Sequence, residues 1–221
     1  MKILLPFLVL ACLSSQASII PSSAPWDEAG RKNGIELFKR ETAGSDIIEL
    51  KGIGVIEAPL WKVASALLDT ERAPEWVDSL EKSSVVRRLT PLSYIEYNHI
   101  GTPFFMSDRD FVSLVNIQID SDKQTFTLTY EPSNEAVPTR GRIRGSINPG
   151  IFRLTAIAPE RTKLEGEILC DPKGAVPKWV VNMVQSAWAH DTIQALRKQT
   201  AKADVRIPTE FADVLQQTRE F

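Results

Sequence analysis

The side chains able to do chemistry in this sequence are few and scattered. His99 and His190 are its only histidines. With Cys170 they show none of the spacings that recur at zinc sites, so no metal is expected. There is no Gly-x-Ser-x-Gly elbow, no Gly-x-Gly-x-x-Gly turn and no Walker run. Serine-based acyl transfer, dinucleotide binding and nucleotide hydrolysis therefore lack their usual apparatus, and no cofactor is expected. His190 and Asp191 are adjacent, but neighbouring helical side chains point in different directions, so a solvated helix face is expected there. The residue that stands out is Arg109, at the start of a run holding Phe111, Val112, Leu114 and Val115. On an outer face it would bond Asp108 or Asp110. Turned inward it needs a partner, because an unpaired buried charge costs several kcal/mol. Glu96 is the expected partner, since Tyr94, Glu96 and Asn98 alternate along one face of "YIEYNH".

Composition narrows the surroundings of such a site. Lys and Arg total 26 against 28 Asp and Glu, which leaves no positive field to gather nucleic acid. The 221 residues are enough for one domain with its own core. "MKILLPFLVLACLSSQA" combines a lysine, an apolar run and small residues before a cut after Ala17. Residues 1–17 thus read as a signal peptide and the mature protein as exported, periplasmic or secreted. Lipid anchoring through Cys12 is the alternative. After cleavage only Cys170 would remain, so no internal disulfide is expected. No later segment approaches the roughly twenty apolar residues of a membrane span.

Residues 18–25 form a leader, and residues 26–201 carry the elements that must position Arg109. "WDEAGRKNGIELFKRE" predicts a helical turn from Trp26, then an Asn33-Gly34 turn into a strand. "DIIELKGIGVIEAP" predicts a second strand, with a bend or bulge at Gly52 and Gly54. Pro59 and the spacing of Leu60, Val63, Ala64, Leu67 and Leu68 predict a short amphipathic helix. A long β region follows, with alternation such as Phe126, Leu128 and Tyr130 against threonines, the pattern of an antiparallel sheet with one buried face. From Val176-Pro177 to about Ala201 the chain predicts one long apolar helix, launched by the turn Asp171-Pro172-Lys173-Gly174. Residues 202–221 predict a tail with a short helix around Phe211, Val214 and Leu215. Segregated helices and a large antiparallel sheet define an α+β fold, in which a curved sheet wraps around the C-terminal helix.

"RDFV" at 109–112, "RG" at 144–145 and above all "DPKGAVPKWVVNMV" at 171–184 with "TIQALRK" resemble the START (StAR-related lipid-transfer) domain. "GIELFKRE", "GIGVIEAP" and "LLDTERAPEW" fall in that family's order. The resemblance implies a helix-grip fold, a lipid-sized cavity closed by the C-terminal helix, a ligand-facing Arg109, and no catalytic residue. The expected partner is a lipid or other hydrophobic small molecule, held by a monomer that makes transient membrane contact and transfers its ligand between membranes. Expected lining residues are Arg109, Glu96, Tyr94, Val180, Met183, Val184 and Ala187. Phe104, Phe105 and Met106 form an expected lip, and "EPSNEAVPTRG" a second gate. Two other readings remain open: a helix-grip cyclase or hydrolase using Glu96, His99 or Tyr97, and an envelope interaction module with a filled core.

Overall fold

The computed structural model describes residues 24–102 and 106–221. The expected signal peptide with Cys12, the lip residues Phe104 and Phe105, and the side chain of Val184 lie outside the described residues. Ten strands form one sheet: β1 Asp27–Lys32, β2 Ile35–Thr42, β3 Ser45–Ile56, β4 Leu80–Thr90, β5 Ser93–Ile100, β6 Arg109–Asp120, β7 Thr125–Pro132, β8 Ile143–Arg144, β9 Ser146–Ala158 and β10 Arg161–Asp171. Their order is β1-β2-β3-β10-β9-β7-β6-β5-β4, and the short β8 pairs in parallel with β6. The helices are α1 Leu60–Leu68, α2 Lys178–Gln185, α3 Trp188–Ala201 and α4 Ala212–Gln216.

Opposed residues of an antiparallel pair share a face, so the register sorts the inner face residue by residue. One row runs Tyr94, Val115, Tyr130, Gly150, Ile168, Leu50 across six strands. The adjacent row holds Leu128, Phe152, Gly166 and Gly52. Beyond it lie Phe126, Leu154, Leu164 and Gly54. Ala189, Ile193, Leu196 and Thr200 of α3 are buried at alternating spacings of four, three and four, one stripe of a helix laid on that face.

The helix lies close to the sheet because the strands beneath it carry glycine. A Cβ on Gly52 would stand 2.8 Å from the Cβ of Ala189, and one on Gly54 would stand 3.0 Å from Cγ2 of Ile193. The β3 register stays regular through both positions. They mark helix approach, not the bend or bulge expected from the sequence.

Two further expectations change. The segment after Trp26 is a strand, because the Asn33-Gly34 turn, with φ of 52° and 71°, folds it back as a hairpin onto β2. The C-terminal helical run is divided at Ser186 and Ala187. There the Ser186 hydroxyl donates to the Met183 carbonyl at 2.6 Å and the Gln185 amide to the Cys170 carbonyl. Side-chain bonds of this kind compete with the helical ladder. Gly52→Ala should lower stability by about 1–3 kcal/mol through overpacking. Gly166→Ala, whose new methyl would meet Phe152 and Trp188 at an ordinary 3.4 Å, should be close to neutral; paired thermal melts compare them.

Candidate functional site

The site is built at the start of β6, where alternation sends Arg109 and Phe111 to the inner face and Asp110 to the outer. Asp110 is fully buried and receives Nε and Nη2 of Arg144 at 2.6 and 3.2 Å, while Nη2 of Arg144 also donates to the Val137 carbonyl. Next to it, a Cβ on Gly145 would fall 2.4 Å from the Phe111 ring, so only glycine lets β8 lie against β6. Arg109 is 5% exposed. It donates to the carbonyls of Ser107 and Pro172, with Gly174 beside its guanidinium. The three motifs singled out in the sequence thus interlock in space. Gly174 takes positive φ as expected of the turn, Lys173 takes it as well, and Pro177 stands at the N-cap of α2.

Arg109 does not pair with Glu96. In the β5–β6 register Arg109 faces Ile100, whereas Glu96 faces Ser113, four residues further along β6. The arginine is satisfied by backbone carbonyls at the mouth, which leaves the glutamate deeper in the interior with the Asn98 amide as its hydrogen-bond donor, at 2.6 Å. Burial pushes the Glu96 carboxyl from its ordinary 4.5 up to about 7, and the Asn98 amide, then the Tyr94 hydroxyl, offset part of that rise. Burial also holds the Tyr94 and Tyr130 phenols well above their usual value. The Tyr94 hydroxyl makes no hydrogen bond of ordinary geometry among the described residues, but it faces the Glu96 carboxyl closely enough to lower its pKa. Glu96, Asn98, Tyr94 and Tyr130, with Ser113 opposite Glu96, form a polar island on a largely apolar face.

The helical side of the expected lining is different. Val181, not among the expected lining residues, is buried and packs with Ile47 and Leu169. Val180 is half-buried, Met183 is 59% exposed and Ala187 is exposed. The reason is the break at Ser186: α2 lies at the margin of the sheet, where Asn182 bonds the Ile48 amide and the Asp46 carbonyl. Trp179, at 68% exposure, joins Met183 on the outer side of α2, and Met106 is exposed.

Between the sheet and α3, the residues Phe152, Gly166, Trp188, Thr192 and Ile193 leave only a crevice too small to hold a water molecule, so the lipid-sized cavity implied by the resemblance is not open there. A larger groove of about 430 Å³ lies on the outer face between Arg87, Leu89, Ile95, Leu114 and Glu135. There the expected second gate is tied down by the Arg87–Glu135 ion pair. His99 and Tyr97 stand on that outer side, opposite to Glu96 in strand parity, and His99 bonds Asp108 at 2.7 Å. His190 bonds the neighbouring Asp191 and also Asn33. Burial pushes the Cys170 thiol up to about 12, which closes thiolate chemistry to it. No cluster of metal-ligating side chains occurs among the described residues.

A curved antiparallel sheet gripping C-terminal helices over a buried polar island defines a helix-grip domain. Residues 24–203 match the START domain, and the chain belongs to that family. Steroidogenic acute regulatory protein, mitochondrial, of Gallus gallus is 28% identical over 155 residues, 67% of this chain and 55% of that protein. The chain thus spans about half the length of that curated relative. A STAR-related lipid transfer protein from Xanthomonas axonopodis superposes with a TM-score of 0.72 at 22% identity, covering 80% of this chain and 99% of that one. Human StAR-related lipid transfer protein 5 gives 0.74 at 18%, covering 81% and 88%.

Two measurements check the site. Asp110→Ala should cost about 3 kcal/mol in denaturant unfolding, because it strands a partly buried guanidinium. Glu96 binds a proton more tightly folded than unfolded. Its contribution is therefore intact below pH 4.5 and is lost as pH rises through about 7, a loss of about 3 kcal/mol when ionisation is complete. Glu96→Gln should flatten that decline.

Proposed function

We propose that the protein binds one hydrophobic or amphipathic molecule between the inner sheet face and the C-terminal helices, and carries it between membranes. The observation that carries this reading is the polar island on the inner sheet face: among the described residues a buried carboxyl has no cationic partner, and the phenol beside it makes no hydrogen bond of ordinary geometry. Buried polar groups are normally satisfied, and a ligand hydroxyl or similar group would satisfy these. A carboxyl titrating near 7 can accept from such a group or donate to it. Apolar ligand surface leaving water would contribute about 25 cal/mol per Å².

The crevice under α3 is too small to hold a water molecule, whereas small-molecule sites begin at roughly 300 Å³, so loading requires the roof to move. The break at Ser186 and Ala187 supplies a place for α2 to swing, and Arg109, bonded to the Pro172 carbonyl, holds the turn that launches it. Exposed Trp179, Met183 and Met106 lie on the moving element and on the lip that Arg109 ties to it. Aromatic and apolar groups so exposed suit the membrane interface. Export through residues 1–17 would put this activity outside the cytoplasm, and the carrier acts as a monomer without catalysis. One observation favours an enzyme instead: a carboxyl near 7 is poised for proton transfer. His99 and Tyr97 lie on the opposite face, so Glu96 would have to work without them.

Native mass spectrometry of the protein from its own host should reveal a co-purifying lipid. Repeated absence of one, with no uptake of labelled sterol or phospholipid, would leave the filled-core module. Turnover that disappears in Glu96→Gln while ligand binding persists would favour the enzyme. Replacing Trp179 and Met183 together by alanine should slow transfer of fluorescent phosphatidylcholine between vesicles by on the order of tenfold and leave equilibrium binding unchanged; equal rates would remove the membrane-contact role.

A further inference from the structure

The family match ends at residue 203, yet the chain after it is built into the core. Phe211 and Leu215 are fully buried, with Val214 and Thr218 nearly so. The segment is fastened to the end of the domain by a ring of arginines. Arg72 donates to the Asp204 carbonyl at 2.8 Å, Arg206 pairs with Glu71 and Asp69, and Arg219 lies over the Trp61 ring at 5.3 Å. Arg88 donates to the Glu210 carbonyl at 2.8 Å, and its guanidinium lies 4.5 Å from the centre of the Phe211 ring.

Phe211 touches a residue of the proposed ligand space. Its ring centre is 5.1 Å from that of Tyr94, at an angle of 59°. Tyr94 belongs to the inner row with Val115 and Tyr130. Its hydroxyl makes no hydrogen bond of ordinary geometry but faces the carboxyl of Glu96, the next residue on its side of the strand. Phe211 thus backs the ring that borders the polar island, at the end of the sheet away from Arg109 and the mouth.

We propose that residues 204–221 form the floor of the ligand space and that Phe211, by bracing Tyr94, sets how long an apolar ligand the space accepts. This rests on the carrier reading above. The grip of sheet on α3 is complete before residue 204, so what the segment adds is closure of one end. Without the Phe211 ring, a phenyl-sized space opens behind Tyr94, the tyrosine can swing into it, and the ligand space lengthens.

The test measures affinities of the delipidated full-length protein for a short-chain and a long-chain pyrenyl fatty acid, in wild type, Phe211→Ala and Phe211→Leu. Circular dichroism and melting temperature establish which variants are folded. Wild type should favour the short probe. Phe211→Ala should shift the ratio toward the long probe by on the order of tenfold, and Phe211→Leu should shift it the same way by less. If the alanine variant does not fold, the leucine variant decides. An unchanged ratio in a folded variant overturns the floor and leaves the carrier standing. Failure of wild type to bind either probe overturns the carrier, and the floor with it.

Discussion

Asp110 is buried in the outer layer of the sheet with Arg144 closed over it, and the mouth of the domain depends on that pair. It holds β8 parallel to β6 in an otherwise antiparallel sheet, and so fixes where β9 begins. A carboxylate out of water is tolerable only with a charged partner and further hydrogen bonds, and Arg144 brings both by also reaching the Val137 carbonyl. One residue either way along β6, alternation points Arg109 and Phe111 to the other face. The same strand start therefore anchors the outer layer through a charge pair and the inner layer through the carbonyls of Ser107 and Pro172.

The interior then follows from what each end can hold. Near α1 and α4 the inner face is filled by Tyr94, Val115, Ile117, Phe126 and Leu128 against Phe211 and Leu215. In the same cross-strand rows, on β3 and β10, the sheet carries glycines at 52, 54 and 166, and α3 comes down on them. Nearer the mouth than the Tyr94 row lie Glu96 and Asn98, polar side chains where hydrocarbon would be cheaper. Local rules are most often broken where a protein binds something, and that contrast separates this interior from an ordinary core.

Most of the fold was legible in the sequence. Alternation along β5 and β7 assigned the inner faces correctly, including Tyr94, Glu96 and Asn98, because period two leaves no freedom once one face is buried. The turn at Lys173 and Gly174 was legible from its composition. Arg109 was identified as buried, but its partner was not, since register depends on which residues oppose each other across strands and no local pattern records it. Tyr130 was within reach, as it shares parity with Leu128 and Phe126. The lining of α2 was misjudged at Met183 and Ala187 because a single continuous helix was assumed, and one serine hydroxyl bonding backward is too weak a signal to show the break. Gly52 and Gly54 look the same in sequence whether they bend a strand or admit a helix.

The sheet also dictates when this protein can fold. Gly54 of the third strand pairs with Leu164 of the last, and no strand lies between them to hold the place open. Until the chain has been made almost to its end, the first hairpin has no neighbour on its inner side and α3 has no bed of glycines to settle on. Pairings between such distant segments form slowly. A newly synthesised copy therefore stays loose through nearly all of its synthesis, and the inner sheet face and the helix that covers it come into being together.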